Sequence, residues 1–325
     1  MNSIASPSTQ QPFSVRLANS LLNIKPLFNL AKKRARTMMI ERAEAIGVQW
    51  RSEAAKLQAR DWQADLQAVQ NPHLEYPGYY LRSFHAYEEG NLGWLPATEV
   101  EVASYAVHAK IWKTGGTSGD PDLRQSYHTA LKQQLPIAPQ EIVDLGCSVG
   151  MSTFALQDTF PGSRITGVDL SPYFLAVANY RSHLRQTGQG NGLQLSDRPS
   201  DQAPPTWVHA AAEQTGLPSA SYDLVSVCLV YHELPQTAAI AILQEARRLL
   251  RPGGHLAIMD MNPQSAVFQK MPPYVMTLLK STEPYLDQYF ALDMQQAIEQ
   301  AGFQTPSITE NSPRHRTILA QVLGN

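Results

Sequence analysis

The spacing of apolar positions changes character twice along this chain. Residues 41–70 are rich in Ala, Glu, Arg, Gln and Leu, a helical composition in which Trp50 and Trp62 read as packing anchors. Residues 71–94 then lose any period. They carry Tyr76, Tyr79, Tyr80, Phe84, His85, Tyr87 and Trp94 among Gly78, Gly90 and Gly93, the character of a lid or loop over a pocket or of a loop packed on the main body. Residues 96–112 and 120–135 predict two further helices, with Asp120 before Pro121 as a capped start to the second.

From Glu141 onward short apolar runs alternate with amphipathic ones. A strand opening at Glu141 ends in a glycine turn. Met151, Phe154, Ala155 and Leu156 start a helix that Pro161 and Gly162 stop. Further strands are predicted at 164–169, 206–209, 222–229 and 255–261. Helices are predicted at 172–184 with Ser171 as cap, at 237–250, ended by Arg251-Pro252-Gly253-Gly254, and at 292–301, stopped by Gly302. Residues 188–205 read as a polar surface excursion, and 307–310 with 316–322 as an antiparallel edge pair. This alternation predicts an α/β fold, a Rossmann-like seven-stranded sheet with helices on both faces. The expected division is 1–135, a mainly helical N-terminal extension with the aromatic lid, and 136–325, the α/β domain.

Composition narrows the classes. The 325 residues are 43% hydrophobic with a formal net charge of −2, so a core is affordable and the basic excess of a nucleic-acid enzyme is missing. Cys147 and Cys228 are the only cysteines and share no C-x-x-C spacing, which predicts no disulfide framework, no zinc site and a reducing compartment such as the cytoplasm. No apolar run is long enough to span a membrane. Before Glu41 there is no acid, while Arg16, Lys25, Lys32, Lys33, Arg34 and Arg36 are basic. This segment is compatible with a helix docked on its own protein, a transit peptide, or peripheral contact with an anionic membrane.

The candidate chemistry lies in the turn after the first strand. Asp144-x-Gly146-x-Ser148-x-Gly150 is followed, 23 residues after Gly146, by Asp169 at the end of the second strand. Strand, glycine turn, helix, strand and terminal acid form a nucleoside-binding unit, in which the turn bares its backbone and the acid grips a ribose diol. A dinucleotide fold would want G-x-G-x-x-G, and no third glycine stands in that register.

The pattern resembles motif I of the class I S-adenosylmethionine-dependent methyltransferases, D/E-x-G-x-G-x-G, with Ser148 in place of the middle glycine. The motif, Gly167-Val168-Asp169, Tyr222-Asp223-Leu224-Val225 and Leu250-Arg251-Pro252-Gly253-Gly254 together resemble the type 11 group, which includes ubiquinone and menaquinone biosynthesis enzymes. The resemblance covers 136–325. It implies S-adenosylmethionine as cofactor and methyl transfer to a small, lipophilic or aromatic metabolite. It also implies site roles. Gly146, Cys147, Ser148 and Gly150 would line the methionine end, Asp144 would reach the cofactor ammonium, and Asp169 would accept the ribose hydroxyls. Leu170 would cover adenine, Ala212 and Glu213 would stand near its amine, and Leu229 would close the wall. Glu213 reads equally as a solvated loop acid, and Cys228 as a buried small side chain.

If a general base is needed, strand four ends in Tyr231, His232 and Glu233, and His232 is the candidate; the alternative is a histidine that only hydrogen-bonds backbone. His85 and Tyr80 are secondary candidates. Asn262-Pro263 follows strand five, so the Asn/Asp-Pro-Pro-Tyr signature of nucleobase amine methylation is not formed. The competing functions are an NAD-dependent oxidoreductase and an S-adenosylmethionine-binding protein without turnover.

Overall fold

The computed structural model describes residues 25–83, 85, 87–113, 115–189 and 202–323. The start of the basic N-terminal segment, Phe84 and most of the predicted polar excursion lie outside that set.

Among the described residues, seven strands form one sheet: β1 Glu141–Leu145, β2 Arg164–Asp169, β3 Thr206–His209, β4 Tyr222–Cys228, β5 Leu250–Met261, β6 Ser307–Ser312 and β7 His315–Gln321. Their order is β3-β2-β1-β4-β5-β7-β6. The first five are parallel. β7 runs antiparallel beside β5, and β6 antiparallel beside β7. Crossover helices α6 Met151–Thr159, α7 Pro172–Thr187 and α8 Gln236–Leu249 connect the parallel strands. Before β1 stand α1 Lys25–Ala45, α2 Trp50–Gln58, α3 Gln63–Val69, α4 Trp94–His108 and α5 Gly119–Gln134. After β5 come α9 Ala266–Gln269, α10 Pro273–Thr282, α11 Leu286–Ala291 and α12 Met294–Gln300.

The two-residue period of the strands builds two cores. Val143, Val225, Leu256 and Ile258 point to one face and pack with Ile242, Leu243 and Ala246 of α8 and Ile298 of α12. Their neighbours Ile142, Leu224, Ala257 and Met259 point to the other, against Leu123, Tyr127 and Leu131 of α5 and Leu156 of α6. A third core fuses the N-terminal helices to the sheet domain. Ile40, Trp50, Trp62 and Val102 pack there with Val149, Met151 and Phe174. Trp50 and Trp62 are both buried, as the helical reading requires of anchors.

Three local expectations are corrected. Strand five begins at Leu250, which pairs with Tyr222; residues 251–254 form an irregularity with Gly253 at φ +78°, and pairing resumes at Leu224 with His255. The last large helix spans Met294–Gln300, because Asp293 supplies the cap by accepting from the Gln296 N–H. Asp120 is no cap. It lies fully buried in the first turn of α5, where it accepts from Ser104 Oγ at 2.7 Å and Arg124 Nε at 2.9 Å and pairs with His108 Nδ1 at 2.6 Å. A local capping pattern was overridden by a tertiary ion cluster.

Candidate active site

Backbone geometry holds the turn after β1 open. Gly146 sits at φ +73°, and a Cβ there would stand 2.5 Å from a Val230 methyl. The N–H groups of Gly146 and Cys147 both donate to Val168 O, at 2.8 and 3.0 Å, which folds the turn back onto β2. Ser148 takes φ +51°, where glycine would be more favourable by roughly 1–2 kcal/mol. Its N–H donates to Asp169 Oδ2 at 2.8 Å, and this bond fixes the conformation. Asp169 Oδ1 accepts from the Ser171 N–H at 2.8 Å. Burial pushes Asp169 up to about 6, opposed by these two backbone donors.

A cavity of about 540 Å³ opens against this clasp. Gly146, Cys147, Ser148, Asp169, Leu170 and Ala212 form one part of its wall, and Leu229 and His232 another. Three other sequence-predicted residues stand off the lining. Asp144 Oδ2 is occupied by the hydroxyls of Ser152 and Thr153, at 2.6 and 2.7 Å, while its Oδ1 is buried without a partner; burial pushes this carboxyl up to about 6. Gly150, at φ +88°, starts α6, with Phe154 and Trp207 against the place of its Cβ. Glu213 Oε1 accepts from Tyr79 OH at 2.8 Å.

His232 is fixed by β5. Its Nδ1 lies 2.7 Å from Asp260 Oδ1, and its backbone N–H donates to Asp260 Oδ2 at 3.2 Å. Burial disfavours the imidazolium and is the largest single influence, but Asp260, with Glu233 and Glu283, outweighs it and holds the pKa near 10. Burial also pushes Glu233 upward, to about 7, against His85 and His232. His85 Nε2 stands 3.1 Å from Glu283 and 3.6 Å from Glu233. Burial pushes Cys228 up to about 12, so this cavity-lining thiol stays protonated.

The aromatic stretch closes over the site. It is tied to β3 by the Asn71 N–H donating to His209 Nδ1 at 2.9 Å, to α7 by Ser171 Oγ donating to Asn91 O at 2.6 Å, and to α10 by the His85 N–H donating to Thr282 O at 3.1 Å. Tyr79, Tyr80, His85 and Tyr87 line the cavity. Sequence reasoning did not find Asp260, Arg124, Glu283 or Arg314. The acid inside the apolar run Ile258-Met259-Asp260-Met261 was a usable signal for the first; the others carry none. Backbone strain marks the same place. Three of the four described non-glycine residues with positive φ, His85, Ser148 and Leu229, line this cavity.

A methyltransferase-domain family model of type 11 matches residues 143–258. Residues 143–258 are thus a class I, type 11 S-adenosylmethionine-dependent methyltransferase domain. An uncharacterized methyltransferase of Synechocystis sp. is 26% identical over 181 residues, 55% of this chain and 74% of that one. The ubiquinone biosynthesis O-methyltransferase of Xylella fastidiosa is 25% identical over 183 residues, 55% and 67% of the two chains. A solved structure from Nostoc punctiforme, provisionally assigned as an O-methyltransferase, aligns with TM-score 0.50 at 16% identity over 83% of this chain and 72% of that one, a likeness of fold.

S-adenosylmethionine is the cofactor of this methyltransferase, and the clasp suits it. A carboxylate that already holds the turn keeps lone pairs for hydroxyl donors, and the bare backbone at 146–148 admits close approach. Among the described residues, no helix is long and apolar enough to cross a membrane, and no group of three or more His, Cys, Asp or Glu could hold a metal ion.

Proposed function

We propose that this methyltransferase alkylates a hydroxyl of a small, apolar or aromatic metabolite, with residues 136–325 holding the cofactor and the N-terminal 135 helping to cover the acceptor. One observation carries the reading: one cavity is lined both by the Asp169 clasp and by His232, which Asp260 holds from behind the wall. The bound cofactor supplies an activated methyl on a sulfonium, so alignment and exclusion of water are the main demands on the protein. Met39, Val100, Met261, Phe268 and Leu279 give the remaining wall an apolar character suited to a lipophilic body. A net charge of −2 supplies no footprint for nucleic acid.

His232 serves differently from the neutral base that strand-end position suggests. Asp260 keeps it an imidazolium at neutral pH, so it donates to the accepting oxygen and stabilises the negative charge that loss of the hydroxyl proton leaves there before the methyl arrives. Glu233, raised by burial into the range where a carboxylate accepts a proton, takes the hydroxyl proton and passes it to solvent. The O-methyl transfer named for the Xylella relative supports a hydroxyl as the accepting group.

The direct test is label transfer. The full chain is incubated with methyl-labelled S-adenosylmethionine and a panel of phenols, catechols and matched aryl amines. Label in hydroxylated aromatics is expected. Label confined to amines overturns the hydroxyl reading, and no label in any acceptor, with S-adenosylhomocysteine still bound, favours a binding protein without turnover.

A further inference from the structure

The cavity wall carries several cationic side chains, and nearly all are neutralised in place. Arg36 pairs with Glu99, Arg124 with Asp120, His85 with Glu283 and His232 with Asp260. Arg314 also lines the cavity, yet it has no carboxylate within ion-pair distance among the described residues. Its Nη2 donates to Val107 O at 2.9 Å, and its Nε is buried without an acceptor. The neighbouring charge it feels is another cation, Arg42. A guanidinium withdrawn from water beside a like charge is unfavourable until an anion completes it.

The fold presents this cation rigidly. The β6–β7 turn is closed by Ser312 Oγ, which accepts from the N–H groups of Arg314 and His315 at 3.3 and 3.0 Å. Arg314 O accepts from the Asn262 N–H at 2.8 Å, which pins the turn to the end of β5. In the β5–β7 ladder Asp260 stands opposite Arg316 and Met261 opposite His315. Arg314 is therefore two residues, roughly 7 Å of extended chain, beyond the partner of the aspartate that holds His232. His315 lines the cavity beside it but is driven strongly toward its neutral form by burial, so it adds no charge.

We propose that the methyl acceptor is an amphiphilic anion whose carboxylate, sulfonate or phosphate group pairs with Arg314 while its apolar body lies along Val107, Met261 and Phe268. The guanidinium fork offers directed donors to such a group, and the pairing sets the acceptor's register against His232. The proposal rests on the methyl-transfer reading above.

Two fluorescent probes of similar body test it on the full chain. 1-Anilinonaphthalene-8-sulfonate carries the anion, and N-phenyl-1-naphthylamine lacks it. Wild type is expected to bind one equivalent of the sulfonate saturably. Arg314→Gln should weaken that binding about tenfold or more, Arg314→Lys should recover part of it, and the neutral probe should change less than about twofold. Unchanged sulfonate binding in Arg314→Gln, equal weakening of both probes, or no saturable sulfonate binding to wild type would each overturn the proposal. S-adenosylhomocysteine calorimetry on the same proteins separates the two readings. Loss of cofactor-product binding in wild type defeats the methyl-transfer reading, whereas its retention in Arg314→Gln beside unchanged sulfonate binding defeats only the anion subsite.

Discussion

The backbone N–H of Ser148 donates to the carboxylate of Asp169 across 2.8 Å, so the glycine turn and the acid at the end of β2 are one unit. The acid that faces the cavity also holds a non-glycine residue in the left-handed region. The proposed ribose contact and the local fold therefore share this one carboxylate.

Asp169→Asn removes the charge and one acceptor while keeping the shape. We expect S-adenosylhomocysteine affinity to fall about a hundredfold, on the order of 2–3 kcal/mol, the range for hydrogen bonds to a charged group. Calorimetry beside an unchanged far-ultraviolet circular dichroism spectrum checks this. Native affinity in the variant would remove Asp169 from the cofactor site.

The same carboxylate predicts a pH dependence. Asp169 and Asp144 both titrate near 6, above the ordinary value for an unfolded aspartate. Between about 4 and 6 the folded chain holds more protons than the unfolded chain, so these two acids make the unliganded protein less stable as pH rises through that window. Ligand binding runs the other way, because ribose hydroxyls need the ionised acceptor. The gain in melting temperature on adding S-adenosylhomocysteine should thus be larger at pH 7.5 than at pH 5. A gain independent of pH contradicts the assignment.

His232→Asn and Asp260→Asn should each lower kcat by roughly 10²–10³ with little change in the KM for cofactor. The wild-type rate should also decline as pH passes about 10, where His232 gives up its proton. A rate that survives both substitutions would leave the pair a purely structural role.

Gly146→Ala forces a side chain into a positive-φ position and against Val230. A stability loss of about 1–3 kcal/mol is expected in denaturant unfolding, with weakened cofactor-product binding.

Asp120→Ala should be the more damaging change, about 3–5 kcal/mol, because it strands the buried Arg124 charge. A shift of less than about 1 kcal/mol would show that the cluster is solvated in solution.

Much of the sheet could be read from local pattern. Thr206–His209 and the Ser171 cap stand where residue order predicts them, because strand period and capping are short-range effects. The Arg251–Gly254 stretch misled because the pairing of Leu250 and His255 with β4 on either side of it is a long-range property. Asp120 misled because its partner His108 arrives from another helix. In the site, Gly146, Ser148 and Asp169 were legible because one βαβ unit carries them all. Asp260 and Arg314 were not, since their meaning depends on which strands lie side by side.

By itself the sequence determined the βαβ cradle and the alternation that builds a parallel sheet. Hydrophobic period, glycine conformations and caps act within a few residues of each other. Only the tertiary structure decided what lines the rest of the cavity. Packing set His232 on Asp260 across 28 residues, laid the aromatic stretch over the cavity and left Arg314 on its wall with no carboxylate in ion-pair reach among the described residues. Charge pairing and burial are properties of neighbours in space, and no spacing along the chain encodes them.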